Sequence, residues 1–454
     1  MPSAQSFSGL SRRGFLGLAA AAGASVPLLS ACGGGSGSGL KQVDVKVPDK
    51  YKKRQNIVMW TSWTGTNGTT MDTLLQKFND SQTDIYAQAQ YQGGYFDAIP
   101  KVTAALRAKA VPDLVAFGDT GWQNFFVNGY IEDLTGYMDS GFEDTLQPTL
   151  AAMGYIQGKM YWVPFARSTP IMYYNKTLFA KAGLPDRGPK TWTELREWGP
   201  ELAKIKVSNG ETAKATTLQG QDDWEYQASV WEFGGEYSDG LDIKINTDGA
   251  VDAAEWFRKL IFEDKMAYLE ASYGTAFNTG LIGTYMNSTG ALAGTYESAK
   301  AAKFEFGCSP LPTQVTGGIP PGGAGISMLK PLPTDRAQAA WELIKYLSTA
   351  ESSAFWSLST GYLPVVKDAV NQTDYAAKVK ADPNIRVAID QLPKVRQDDA
   401  IRAWIPNASP MIYQALQDIY GNNKATQGVL DDLATKLTTA AQGVQDTYNK
   451  YFPK

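Results

Sequence analysis

The sequence of 454 residues contains no histidine and only two cysteines. The absence of histidine removes the commonest general base of enzymes and the commonest protein ligand of zinc. Positive charge does not dominate either, because 42 basic residues against 46 acidic ones leave a net charge of −4, which argues against a nucleic-acid partner. We therefore expect no metal, no cofactor and no nucleic acid.

The sequence also lacks an apolar run long enough to cross a membrane. The best candidate, residues 15–29, is rich in Ala and Gly and falls short of the ~20 strongly apolar residues that a span requires. It follows the twin-arginine pattern Arg12-Arg13 and ends in Leu29-Ser30-Ala31-Cys32, which matches the lipobox of bacterial lipoproteins. We predict a twin-arginine lipoprotein signal peptide over 1–31 and lipidation of Cys32; the alternative is an Ala-rich helix that ends in a cysteine.

The segment after Cys32 indicates a protein held at a membrane surface. Residues 33–39 read GGGSGSG, a composition that cannot bury enough surface to fold. We predict an anchor and flexible tether over 32–53, which would hold the folded body at the extracytoplasmic face of the cell membrane. The other cysteine, Cys308, then has no partner for a disulfide.

Alternating strand and helix patterns follow the tether. Apolar residues predict strands at 56–60, 85–91 and 113–117, with helical spacing over 71–78 and 99–109 between them. This β-α-β-α-β order predicts a parallel sheet flanked by helices. Ligands of such sheets lie beyond the carboxyl ends of the strands, where Asp119 falls.

Further helices are predicted along the rest of the chain. Thr191 and Glu194 form a capping-box pattern that opens a helix through 206. Similar periodicity predicts helices at 250–262, at 336–347 and from 426 to the end.

Several motifs together resemble a known family. Four segments carry the resemblance: ARSTPIMYYNK at 166–176, AGLP at 182–185, KTW at 190–192 and FNTG at 277–280. Through them the chain is similar to the family 1 extracellular solute-binding proteins of ABC importers, which are relatives of maltose-binding protein. It resembles most the glycerol-3-phosphate-binding and glycerophosphodiester-binding (Ugp) branch, through RSTP at 167–170, STG at 288–290, GGA at 322–324 and TGYLP at 360–364.

The resemblance implies an α/β fold of the type II, maltose-binding-protein-like class, with two lobes joined by a hinge. Each lobe is expected to be a sheet flanked by helices. The N-terminal lobe is placed at 54–165 plus 308–357 and the C-terminal lobe at 166–307 plus 358–454. The three crossings between lobes are expected near 164–168, 307–312 and 357–361, with the ligand in the cleft.

The resemblance also implies a set of ligand-binding residues. A carboxylate such as Asp119 can accept hydrogen bonds from two hydroxyls of a glycerol end. A phosphate end needs donors, for which a guanidinium, hydroxyl groups and a glycine amide are suited. The positions carried over are Tyr95, Asp119, Ser168, Ser288, Gly323, Tyr362 and Arg402.

Each of these residues also has an ordinary structural interpretation. A Ser or Tyr is often a satisfied structural hydroxyl, and Gly322-Gly323 is often a turn. Arg402 follows Asp398-Asp399 and could pair with them on a solvated face. On the sequence alone, Arg402 is the only cation that we place in the cleft.

One departure from the branch concerns the head group of the ligand. Where its glycerol-3-phosphate binders have an aromatic pair, this sequence has Gln221-Asp222-Asp223, with Trp224 close by. The change would open space for a head group such as choline, with Asp222 or Asp223 as an anion and Trp224 as a cation–π face. The alternative is a polar loop without contact to the ligand.

The sequence thus predicts a monomeric lipoprotein that captures glycerol 3-phosphate or a glycerophosphodiester such as glycerophosphocholine and delivers it to the permease subunits of an ABC importer. A sugar or oligosaccharide binder of the same fold is the alternative. A secreted hydrolase that uses two carboxylates is a third hypothesis, but the paired acids are adjacent in the chain and would diverge rather than flank one bond. We therefore expect a binding protein and not an enzyme.

Overall fold

The computed structural model of the chain describes residues 40–219, 223–270 and 274–453. The predicted signal peptide over 1–31, the lipidation site Cys32 and the candidate ligand residue Asp222 lie outside the described residues. The folded part contains two lobes, each built on its own sheet.

The first lobe is built on a sheet with alternating apolar side chains on both faces. Ile57 and Met59 enter one hydrophobic core, whereas Val58 and Trp60 enter the core on the opposite face. The strand that contains these residues pairs parallel with both of its neighbours, as the β-α-β-α-β pattern predicts. From edge to edge the strands are β3 (Ile85–Tyr91), β2 (Gln55–Thr61), β5 (Leu114–Gly118), β16 (Gly322–Met328) and β8 (Val163–Ser168).

The second lobe is built on an antiparallel sheet that separates two further cores. Met172 and Tyr174 pack on one face, and Ile171 and Tyr173 on the other. The strands are β14 (Thr284–Ser288), β9 (Pro170–Asn175) and β15 (Phe306–Ser309). The remaining strands form pairs: β1 (Lys41–Gln42) with β4 (Ala110–Val111), β6 (Tyr155–Ile156) with β7 (Lys159–Met160), β10 (Thr216–Gln219) with β13 (Ala267–Glu270), and β11 (Ser238–Asp239) with β12 (Asp242–Ile243).

Helices cover both sheets. Among the described residues, none of them combines the length and the apolar character that crossing a bilayer requires. The helices are α1 (Gly65–Ser81), α2 (Tyr95–Arg107), α3 (Trp122–Val127), α4 (Phe142–Thr145), α5 (Pro148–Ala151), α6 (Lys176–Ala182), α7 (Trp192–Leu202), α8 (Asp223–Glu232), α9 (Asp248–Phe262), α10 (Thr275–Asn278), α11 (Leu292–Ala302), α12 (Thr334–Leu347), α13 (Ala350–Thr360), α14 (Thr373–Ala381), α15 (Pro383–Asp390), α16 (Ala400–Trp404), α17 (Ala408–Leu416), α18 (Thr426–Gln442) and α19 (Gln445–Tyr451).

The helix signals of the sequence are confirmed, with shifted ends. The hydroxyl of Thr191 caps α7 by accepting the backbone N–H of Glu194 at 3.0 Å. That helix ends at Leu202, four residues before the predicted end. The last predicted helix is divided in two, because α18 ends at Gln442, and Gly443 and Val444 separate it from α19.

The two sheets place the lobe crossings differently from the predicted boundaries. The first-lobe strand β8 runs through Ser168 and β9 begins at Pro170, so the first crossing falls at Thr169. After β15 the chain stays with the second lobe, since the N–H of Val315 donates to the carbonyl of Glu232 at 2.8 Å. The first-lobe strand β16 begins only at 322.

The third crossing also falls later than predicted. Residues after 357 continue to fill the core of the first lobe, because Leu363 and Val365 pack there beside Trp356. The first-lobe core includes residues up to Ala388, and the bridge from Val395 to Ile319 marks the return to the second lobe.

Residues 40–53, which the sequence analysis assigned to a tether over 32–53, belong to the folded body. The backbone N–H of Leu40 donates to Pro331, and β1 pairs parallel with β4. Tyr51 is buried and stacks on Tyr86 with ring centroids 4.3 Å apart. Residues 40–53 are therefore part of the first lobe.

Candidate functional site

A cavity of about 230 Å³ lies between the two lobes. One wall is an edge of the first sheet, where the carboxyl ends of β5 and β8 meet the amino end of the antiparallel strand β16. This arrangement brings Asp119, Ser168 and Gly323 together, and the N–H of Asp119 donates to the carbonyl of Gly323 at 3.1 Å. Asp119 therefore lies where the sequence pattern places it, just beyond a strand end.

The described ligand candidates of the sequence all line this one cavity. They come from separate parts of the chain: the start of α2, the ends of β5, β8 and β14, the start of β16, the segment after α13, and helices α8 and α16. These residues are Tyr95, Asp119, Ser168, Trp224, Ser288, Gly323, Tyr362 and Arg402. Asp222 lies outside the described residues, so its contact with the ligand stays a prediction, as does ligand binding by the others.

Arg402 is a buried cation that lines the cavity and contacts three carboxylates. Its Nε lies 3.0 Å from Oδ2 of Asp223, and its Nη1 lies 2.9 Å from Oδ1 of Asp398 and 3.5 Å from Oδ2 of Asp119. Burial opposes the charge of Arg402, but the three carboxylates outweigh it and raise the pKa of the guanidinium. The alternative of a solvated face is wrong, because the side chain of Arg402 is 2% exposed.

Two of the acids near Arg402 have other hydrogen-bond partners. Besides Arg402, Oδ2 of Asp223 accepts the hydroxyl of Ser409 at 2.6 Å. Asp399 accepts the backbone N–H of Tyr237 and the indole of Trp231 instead of pairing with Arg402. In the described part of the chain, no cluster of acids, cysteines or histidines is arranged to hold a metal ion.

A second guanidinium, that of Arg167, lies beside this group and was missed as a cation in the sequence analysis. Arg167 is buried, and its guanidinium lies 4.8 Å from the ring centroid of Trp162. None of its three side-chain nitrogens has a hydrogen-bond partner among the described residues. Burial lowers the pKa of Arg167, against the attraction of Asp119 and Asp398. The signal was available, since Arg167 begins the RSTP motif.

Hydroxyl groups form another part of the wall. The hydroxyls of Tyr95 and Tyr362 lie 3.4 Å apart, and the indole of Trp63 donates to Tyr95 at 3.0 Å. Burial raises the pKa of both tyrosines, so their hydroxyls stay neutral and can donate to an anion. Ser288 accepts the N–H of Gly290 at 3.1 Å and keeps its own proton for donation.

Gly323 is a strand residue and not the turn of the alternative interpretation. Its φ is +89°, and a Cβ atom at this position would come within 1.9 Å of the carbonyl oxygen of Ala166. Only glycine fits there. The preceding Gly322 lies against the ring of Trp224, whose indole donates to the carbonyl of Pro321 at 3.0 Å.

Aromatic side chains close the cavity from both lobes. Phe96 of α2 meets Tyr413 of α17 edge to face, with ring centroids 5.8 Å apart. Both line the cavity, together with Thr120 and Asn287, and none of these was predicted. A larger groove of about 870 Å³ adjoins it between α2 and residues 402–410 and shares Phe96 with it.

Two α/β lobes with a polar cavity between them are the architecture of a protein that captures a small molecule. The chain belongs to the bacterial extracellular solute-binding protein family, whose model matches residues 73–387. The predicted family and fold class are thereby confirmed.

Individual relatives agree with this assignment. The chain is 30% identical to UgpB from Mycobacterium tuberculosis, solved in complex with glycerophosphocholine, with a TM-score of 0.79 over 85% of this chain and 98% of that one. It is 26% identical to the sn-glycerol-3-phosphate-binding periplasmic protein UgpB of Yersinia enterocolitica, over 84% of this chain and 91% of the relative. The GacH receptor of Streptomyces glaucescens, solved with and without acarbose, shares the fold at 20% identity and a TM-score of 0.75, over 86% and 99% of the two chains.

Proposed function

We propose that this protein captures a glycerophosphodiester such as glycerophosphocholine, or glycerol 3-phosphate, and delivers it to an ABC importer. The observation that carries the proposal is the convergence of eight predicted residues from both lobes on one cavity. Asp119 suits the glycerol hydroxyls, and Arg402 with the neutral donors suits the phosphate. The relative from M. tuberculosis, solved with glycerophosphocholine, supports this choice of ligand.

Titration calorimetry of the full-length chain tests this function. The ligands are glycerol 3-phosphate, glycerophosphocholine, glycerophosphoethanolamine, maltose and trehalose. We expect heat from the phosphate-bearing compounds and none from the sugars. Heat from the sugars alone would overturn the proposed ligand class and leave a carbohydrate-binding member of the family.

Trp224 is the residue that we expect to recognise a cationic head group. Trp224→Leu should weaken the binding of glycerophosphocholine by about 0.5–2 kcal/mol, the usual range of a cation–π contact. The binding of glycerol 3-phosphate should weaken by less. The same calorimetric titrations measure both. The matched control is Trp198→Leu, because Trp198 lies outside the cavity and packs on Phe179 and Arg187 in the same lobe. If Trp224→Leu loses the same binding free energy for both ligands, Trp224 does not recognise the head group.

The proposed delivery to a permease includes a lipid anchor at Cys32 on the extracytoplasmic face of the membrane. Cys32→Ala should abolish labelling by a lipid precursor and move the protein out of the membrane fraction. Cys308→Ala is the control, since Cys308 is the only other cysteine of the sequence and its pKa is raised by burial in the second lobe. A Cys32→Ala variant that still carries lipid would refute the anchor.

A further inference from the structure

Five charged side chains are buried together, and three of them, Asp119, Asp223 and Arg402, line the cavity. The first lobe contributes Asp119 and Arg167, and the second contributes Asp223, Asp398 and Arg402. Arg402 contacts all three carboxylates, and Arg167 is close enough to Asp119 and Asp398 to be stabilised by their charge. This group, here called the buried charge cluster, connects the two lobes.

The buried charge cluster is not neutral when every member is ionised. Three carboxylates against two guanidinium groups leave one negative charge. A phosphate-bearing ligand would add a further negative charge to this enclosed space. Uncompensated charge is costly where water is excluded, so the cluster must take up a proton or lose affinity for an anion.

Asp398 is the carboxylate best suited to hold that proton. Asp223 accepts hydrogen bonds from Arg402 and Ser409. Neither oxygen of Asp398 has a hydrogen-bond partner among the described residues, and its side chain is 2% exposed. Nη1 of Arg402 lies 2.9 Å from Oδ1 of Asp398. The two atoms form an ion pair, but their geometry is not that of a hydrogen bond.

The charges that face Asp398 do not offset its burial. They are Arg402 of α16, Arg167 of β8, Asp119 after β5 and the neighbouring Asp399. Burial, with the repulsion of the two acids, raises the pKa of Asp398 to about 8 against the attraction of the arginines.

We propose that Asp398 is a positioning residue for anion capture, protonated whenever the phosphate-bearing ligand is bound. The proton removes the excess negative charge and frees Nη1 of Arg402 from a competing carboxylate, so that this nitrogen can face the phosphate. The inference rests on the proposed function and adds to it how the cavity accepts an anion beside three acids.

The role of Asp398 gives ligand binding a defined pH dependence. Below about pH 8 the proton is already bound, so the affinity does not change with pH. Above this pH the empty site is ionised and binding must take up a proton from solvent. The affinity should then fall about tenfold for each further pH unit.

Calorimetry with glycerophosphocholine from about pH 6 to about pH 10 tests this dependence. We expect the wild type to show the fall at high pH and Asp398→Asn to give a flat profile. The matched control is Glu232→Gln, because Glu232 is also buried in the second lobe and burial raises its pKa to about 8, but it does not belong to the buried charge cluster. This control should keep the wild-type profile.

A proton count on the wild type is independent of any variant. At about pH 9, heats measured in two buffers of different ionisation enthalpy should show about one proton taken up per glycerophosphocholine bound. A count of zero, a flat wild-type profile, or an unchanged slope in Asp398→Asn would each overturn the role of Asp398. Absence of heat from every phosphate-bearing ligand at every pH would overturn the proposed function, and this inference with it.

Discussion

Arg402→Ala is expected to abolish measurable capture of phosphate-bearing solutes and to lower the free energy of unfolding by about 3–5 kcal/mol. The substitution removes the only group that contacts Asp119, Asp223 and Asp398 together within the described part of the chain. Three acids then remain buried with Arg167 as their nearest cation. Urea unfolding near neutral pH measures the stability, and calorimetry measures the binding.

Two comparisons separate the role of Arg402 from a general effect of losing an arginine. Arg107→Ala is the matched control, because Arg107 is exposed at the end of α2. This substitution should change neither ligand binding nor the free energy of unfolding. Acidification should reduce the stability difference for Arg402→Ala, since protonation relieves the uncompensated carboxylates. A stable Arg402→Ala variant that binds glycerophosphocholine within about threefold of wild type would contradict the assigned charge partner.

Gly323→Ala should be the most damaging small substitution at the cavity, with a loss of about 3 kcal/mol or more in the free energy of unfolding. Alanine is strained at a φ of +89°, and its Cβ would meet the carbonyl oxygen of Ala166 at 1.9 Å. The strands β16 and β8 would have to separate where Asp119 and Ser168 are positioned. Binding should therefore fall together with stability, as calorimetry and urea unfolding will measure.

Gly317→Ala is the matched control for this substitution. Gly317 precedes the same strand, and a Cβ atom there meets nothing within 4 Å. It should unfold and bind like the wild type. If Gly323→Ala retains wild-type stability, the tight approach of β16 to β8 is not required by the fold.

The strands around the cavity could be predicted because their signals are local. The alternation of Ile57, Val58 and Met59 between two cores requires only the two-residue period of a strand. The position of Asp119 followed from the apolar strand before it. The other ligand-binding candidates are far apart in the chain and came from the family resemblance. The structure brings those that it describes to the same cavity.

What could not be predicted depends on contacts between distant segments. No local pattern indicates that Arg402 contacts Asp223 and Asp119, because these residues meet only when helix α16 packs against both lobes. Tyr413 was missed for the same reason, since its ring reaches the cavity only through the packing of α17.

The lobe boundaries were displaced for a related reason. The apolar residues Leu363 and Val365 fit the core of either lobe on the sequence alone, and the structure places them in the first.

The depth of the buried charge cluster determines how the protein responds to dissolved salt. Mobile ions screen charges at a protein surface, but they screen buried pairs much less. Arg402 is 2% exposed on its side chain, so ions in the medium have little access to the guanidinium that we assign to the phosphate. A protein outside the cytoplasm meets a medium whose ionic strength the cell does not control, and capture through a buried arginine would stay nearly constant as that medium changes.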